Sequence, residues 1–101
     1  MIAPVPAVIE GRCDARFGAL REAFAANFSE LDEVGAALCV ELGGVRVVDL
    51  WGGHRDAART QRWSADTLVN AYSVGKGVIA MLVLALIERG DLALDAPVAA
   101  H

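Results

Sequence analysis

Cysteine, lysine and tyrosine are scarce in this chain of 101 residues, and each scarcity narrows what it can be. The two cysteines, Cys13 and Cys39, are too few and too far apart for a disulfide framework, and no histidine lies close enough to complete a zinc spacing. No metal and no cofactor is therefore expected. Basic residues are outnumbered by acidic ones, 9 to 13, and the net charge of −4 argues against nucleic acid, because neutralising phosphates needs clustered Lys and Arg. Instead the eight arginines are scattered among acids, and the mildly basic stretch His54 to Arg62 reads as a solvated loop. Apolar runs are short. The longest, Val78 to Ile87, falls well below the ~20 residues that span a bilayer. The opening Met1 to Pro6 has neither a basic n-region nor a continuous apolar h-region, so it does not read as a secretory signal. A soluble, cytoplasmic protein without membrane contact is the expectation.

What is present is a large apolar fraction, 55%, against 22% charged residues, which excludes a disordered tail. A chain of this length buries about 65% of its unfolded surface, so that much apolar material calls for further protein around it. Residues 1–12 carry Pro4, Pro6 and Gly11 and read as an extended lead-in. From residue 13 to 31, Phe17, Leu20, Phe24, Phe28 and Leu31 recur at steps of three and four and predict one helix with a core-packing stripe. Residues 35–51 predict a β-hairpin about Gly43-Gly44, a pair that permits the positive φ angles of a two-residue turn. The register then sets Leu42 against Val45, Glu41 against Arg46, Val40 against Val47 and Cys39 against Val48, with opposite charges facing each other. Both hairpin faces are apolar enough to need cover, and one helix covers only one.

Residues 52–67 form a polar connector containing His54. A loop histidine can act as a general base, but no Asp or Glu is placed by sequence to orient it. A short extended piece then leads to the helix at 73–89, whose residues Val78, Ile79, Met81, Leu82, Val83, Leu84, Leu86 and Ile87 make it apolar on nearly every side, as suits a buried helix, with Gly90 as its stop.

At the head of that helix stand Ser73 and Lys76. Three residues is a little under one helical turn, so the two side chains share a face. Serine needs a partner to accept its proton, and a neutral lysine amine serves when burial lowers its pKa, as arginine cannot. Lys76 is the sole lysine, and with three serines in the chain the Ser-x-x-Lys coincidence has odds of about 3 in 100. The alternative is that Ser73 caps the helix and Lys76 is a solvated first-turn residue, although the helix dipole disfavours a cation there.

The residues Tyr72-Ser73-Val74-Gly75-Lys76-Gly77, the apolar helix, and then Glu88-Arg89-Gly90-Asp91-Leu92-Ala93-Leu94-Asp95-Ala96-Pro97-Val98 resemble the amino-terminal part of the serine β-lactamase-like family. The nearest branch is that of class C β-lactamases and family VIII carboxylesterases. The likeness runs from about Val34 to the end and is most specific between Asp66 and Val98. It implies an α+β fold: a helix, an antiparallel hairpin, a loop and a buried nucleophile helix, as the first portion of a β-lactamase/transpeptidase-like domain. It also implies catalytic roles for Ser73, which would attack an ester or amide carbonyl to give an acyl-enzyme, and for Lys76 as its proton acceptor or the group keeping the base unprotonated. The Ser73 backbone N–H would supply one oxyanion donor.

The family's downstream Tyr-x-Asn and Lys-Thr-Gly-type motifs have no counterpart here, since no tyrosine follows Tyr72. An amino-terminal segment, inactive by itself and partnered by the remainder of its catalytic domain or by self-association, is expected. Carboxylesterase action on short acyl esters, with weak β-lactamase activity, leads. A D-Ala-D-Ala peptidase and a non-catalytic interaction module are the alternatives.

Overall fold

The computed structural model describes residues 7–100; the first six residues of the lead-in, and with them the signal-peptide reading, lie outside the described residues, as does His101. The contacts gather into two compact units, Met1–Leu68 and Val69–His101. In the first, a three-stranded antiparallel sheet is formed by β1 (Ile9–Cys13), β2 (Gly35–Leu42) and β3 (Val45–Gly53), in the order β1-β3-β2. A single 3₁₀ turn (Ala15–Phe17) and helix α1 (Gly18–Glu30) connect β1 to β2. The lead-in thus carries a strand: Ile9 pairs with Gly52, Gly11 with Leu50 and Cys13 with Val48.

The hairpin turn has Gly43 and Gly44 at φ +58° and +77°, a conformation that glycine adopts without a Cβ penalty. Leu42 faces Val45 and Glu41 faces Arg46, but the register then shifts, with Val40 opposite Val48 and Cys39 opposite Asp49. The expected Val40–Val47 and Cys39–Val48 pairs do not form, because Val47 is an extra residue on β3, a β-bulge. The physical reason lies further along the strands. Without the bulge Asp49 would share a face with Leu38 and Val40; with it, Leu38 pairs with Leu50 and Val40 with Val48, and Asp49 turns to the other face. Arg46 spans the irregularity, donating to Glu41 Oε1 at 3.3 Å and to Asp49 Oδ2 at 3.2 Å. The bulged Val47 carbonyl accepts from the Asp14 N–H at 2.8 Å, so it is not left unpaired.

α1 covers the face so assembled. Phe24 and Phe28, four residues apart and hence on one side of the helix, meet edge to face at 5.5 Å. Phe24, Val47, Val48 and Leu50 form the buried core, with Ile9, Phe17, Phe28, Leu38 and Val40 packed around it. Of the predicted helical stripe, Leu20 and Leu31 are exposed.

The connector is folded back on itself rather than loose. His54 bridges Arg62, and the Asp56 carboxylate accepts from the Thr60 N–H and hydroxyl and from the Gln61 N–H. Its carboxyl is held below the usual aspartate value chiefly by the Thr60 hydroxyl, with the two backbone N–H groups adding to the effect. Arg59 pairs with Asp32 at 2.6 Å and Arg62 with Glu10 at 3.1 Å, tying the connector to the loop before β2 and to β1.

In the second unit a one-turn 3₁₀ segment (Tyr72–Val74) runs into α2 (Gly75–Glu88). Its end is a Schellman motif: Gly90, at φ +82°, donates to the Ile87 carbonyl at 3.0 Å and Asp91 to the Leu86 carbonyl at 2.9 Å. None of the residues of α2 is buried. Met81 is 70% exposed and Leu84 57%, so the apolar circumference foreseen for a buried helix is here turned outward. Among the described residues no helix is long and apolar enough to cross a membrane.

Candidate active site

The second unit contains the Ser-x-x-Lys pair. Ser73 sits in the 3₁₀ segment and Lys76 in the first turn of α2. In a 3₁₀ turn the side chains at i and i+3 nearly eclipse, which shortens the reach between them. Lys76 Nζ lies 2.9 Å from Ser73 Oγ, within ordinary hydrogen-bonding distance, and donates to it. The helix begins two residues later than the 73–89 expected, at Gly75, and Val74 is its N-cap. Val74 offers no capping side chain, and the Ser73 hydroxyl engages the lysine.

The approach to Ser73 is bent. Tyr72 takes φ +47°, a left-handed conformation uncommon for an aromatic residue. Asn70 Oδ1 accepts from the Tyr72 N–H at 3.4 Å, the Ala71 carbonyl accepts from the Val74 N–H at 3.2 Å, and the Gly75 N–H is shared between the Ser73 and Tyr72 carbonyls. Sequence reasoning passed over Asn70 and the backbone of Tyr72. An Asn two residues before a turn is a readable local signal, since its side chain bonds the backbone two residues on.

His54 belongs to the first unit. Its backbone N–H donates to the Val34 carbonyl at 2.7 Å, and among the described residues its ring makes no hydrogen bond with a carboxylate that would orient it. Cys13, half-buried, directs its thiol to the Phe17 carbonyl at 3.3 Å, and Cys39 is exposed and unbridged. Among the described residues no group of three or more His, Cys, Asp or Glu side chains is placed to hold a metal ion. Chemically, then, the local geometry offers a hydroxyl with an amine in contact, at the start of a helix whose remaining surface is apolar.

Known proteins share this arrangement of elements. The chain is 40% identical over 91 residues to the esterase/beta-lactamase LipL of Mycobacterium tuberculosis, covering 90% of this chain and 21% of LipL. It is 52% identical over 44 residues to the esterase EstB of Burkholderia gladioli, covering 44% of this chain and 11% of EstB. A solved family VIII carboxylesterase superposes with a TM-score of 0.83 at 46% identity, over 91% of this chain and 25% of that one. A penicillin-binding protein homologue from Caulobacter crescentus gives 0.82 at 41% identity, over 87% and 24%. The mixed helix and antiparallel sheet is therefore the architecture of β-lactamase and penicillin-binding-protein relatives. The chain spans about a fifth of the length of LipL. The sequence profile of the Beta-lactamase family matches residues 24–101, most of the chain, and the chain belongs to that family.

Proposed function

We propose that this chain carries the nucleophile of a serine hydrolase that works through an acyl-enzyme, with carboxylesterase action on short acyl esters as its main activity and weak β-lactam hydrolysis beside it. The observation that carries the reading is the 2.9 Å approach of Lys76 Nζ to Ser73 Oγ. Ser73 Oγ attacks the ester carbonyl carbon while its proton passes to the Lys76 amine; that amine is exposed in this chain, so the burial called for above has to come from the remainder of the catalytic domain. The tetrahedral adduct collapses and re-forms the carbonyl as the alcohol leaves with the proton that Lys76 took up, and water then attacks the acyl-serine in the same way, giving up a proton to Lys76 and releasing the acid and Ser73. The Ser73 N–H would serve as one oxyanion donor, a group worth a few kcal/mol of barrier where it is preorganised. Esterase is the name carried by LipL, EstB and the solved carboxylesterase, which favours esters over β-lactams as substrate.

The apolar surface of α2 finds its cover, in this proposal, in the remainder of a catalytic domain or in a second copy. The reading has the substrate as the chain's small-molecule partner, with no nucleic acid and no membrane, and the protein acting in the cytoplasm. The cytoplasmic location is checked by fractionating cells that express the complete gene product.

A second reading, a D-Ala-D-Ala peptidase, is favoured by the likeness to the penicillin-binding-protein homologue. Nitrophenyl butyrate, nitrocefin and a D-Ala-D-Ala peptide, each offered to the complete gene product, separate the readings. Butyrate hydrolysis lost in both Ser73→Ala and Lys76→Ala supports the esterase. Unchanged hydrolysis in Ser73→Ala removes Ser73 as nucleophile, and no turnover of any of the three leaves the interaction module.

A further inference from the structure

The site's entry turn contains a conformational feature that the nucleophile reading does not use. Three non-glycine residues among those described have positive φ: Asp32, Arg59 and Tyr72. Asp32 and Arg59 lie in loops and are paired with each other. Aspartate tolerates the left-handed region through its short polar side chain. Tyr72 has no such excuse, and its ring, 83% exposed, is not held there by packing. Ala71, Val74 and Gly75 are right-handed, at φ −86°, −58° and −56°. With Tyr72 right-handed as well, Ala71 to Lys76 would run on as one continuous helix, and Ser73 would sit in its side rather than at its entrance.

We propose that Tyr72 is a positioning residue: its left-handed backbone, with the Asn70 side-chain carbonyl on its N–H, sets Ser73 at the helix entrance in contact with Lys76, and the phenol ring takes no part. The inference rests on the reading of Ser73 as nucleophile. Strain held beside a reacting group by surrounding hydrogen bonds is a known form of preorganisation. Here the restraint is a set of backbone bonds: Tyr72 N–H to Asn70 Oδ1, Val74 N–H to the Ala71 carbonyl, and Gly75 N–H to the Tyr72 and Ser73 carbonyls. Position 72 should therefore rank substitutions by how readily each residue adopts the left-handed region, not by size or aromaticity.

The test is the rate of labelling by a rhodamine fluorophosphonate on the complete gene product. In that reaction Ser73 Oγ bonds to phosphorus, fluoride leaves, and the hydroxyl proton goes to Lys76. Labelling of wild type mapped to Ser73 and absent in Ser73→Ala establishes the nucleophile separately; its failure sinks that reading, whatever position 72 does. Given the nucleophile, Tyr72→Gly, Tyr72→Asn and Tyr72→Phe should label within about threefold of wild type, whereas Tyr72→Val should fall about tenfold, the left-handed region being dearest for a β-branched residue. The loss should lie in kcat for nitrophenyl butyrate with KM kept, and the pH profile should hold its shape. Should Tyr72→Val fail to fold, as read by circular dichroism, Gly and Asn against Phe still decide. Retention in Phe with loss in both Gly and Asn would assign the role to the ring and overturn the inference, as would a folded Val variant labelling at the wild-type rate.

Discussion

The two units of this chain differ in what they bury: the first holds the core, and the second holds the proposed nucleophile. The first has a core, with Val48 and Leu50 fully buried beneath α1, and its polar side chains are spent on holding loops in place. The second has the Ser73–Lys76 pair and no buried residue in its helix. Most apolar side chains of α2 stand in the open, although that helix is more uniformly apolar than α1, where a single stripe suffices. A helix with one apolar stripe needs one neighbour, and a helix apolar all round needs several. The difference teaches that hydrophobicity in a segment reports how many surfaces it must meet, not whether they are present in the same chain.

The sharpest way to test this division is through Ser73 and Lys76. In the complete gene product Ser73→Ala should cut ester hydrolysis by about a thousandfold or more, and Lys76→Ala by a similar amount, because groups acting as a unit lose most of their effect when one is removed. Lys76→Arg should be no better, since guanidinium stays charged and cannot accept the proton. Thermal unfolding should hardly move in any of the three. A large loss of stability together with activity would break the comparison.

The reciprocal experiment moves stability without touching the site. Leu50→Ala should cost the first unit about 2–5 kcal/mol, the range for emptying a packed leucine position. In the same 101-residue chain Leu84→Ala should stay within about 0.5 kcal/mol, as exposed positions do, and Leu84→Gln should reduce self-association in sedimentation. Equal destabilisation at both positions in denaturant titrations would mean that α2 is already packed in this chain.

The local features were the legible ones. Ser73 and Lys76 are three residues apart, so their sharing a face follows from their spacing, and Gly90 ends α2 because only its own backbone angle is at stake. The Val47 bulge was not legible. Its cause is the gain from gathering Val48, Leu50, Leu38 and Val40 under α1, which becomes visible only when the helix is placed. β1 was half legible: Ile9, Gly11 and Cys13 alternate with Glu10 and Arg12, but the central glycine and the nearby prolines masked a strand that exists because β3 pairs with it. The connector's carboxylate loop and its two long-range ion pairs were hidden in a stretch that reads simply as polar. The left-handed Tyr72 runs against residue preference, and no pattern of residue types announces it.

A smaller effect sharpens the picture of the hairpin. Gly43→Ala forces a Cβ into a φ of +58°, where nothing else crowds it, so the change isolates backbone preference. The expected cost is about 1–2 kcal/mol, and Gly43→Asn should recover much of it. An alanine variant as stable as wild type in urea would mean that the turn relaxes to another type, and that the register of Glu41 and Arg46 does not depend on it.

The smallest expected effect is the pH response of the connector. The Asp56 carboxyl lies below its ordinary value of 3.8 because the Thr60 hydroxyl and the Thr60 and Gln61 N–H groups bond its anion. A folded-state value below the unfolded one contributes stability that is present above 3.8 and is lost as pH falls through the lower folded value. Asp14 and Asp66 are likewise lowered, by Arg16 and by Ser64, so a global melt in acid mixes all three. Residue-level hydrogen exchange separates them. The Thr60 and Gln61 amides should be protected at neutral pH and lose protection below 3.8, relative to intrinsic rates, while core amides such as Leu50 hold. Asp56→Ala should leave both amides unprotected at every pH. Because Asp56 is only partly buried, its bonds compete with water, and the change should remain confined to the connector. Protection at Thr60 that survives Asp56→Ala would move the origin of the loop's order to the Arg59–Asp32 and Arg62–Glu10 pairs, and with it the reason that the first unit is ordered beyond its core.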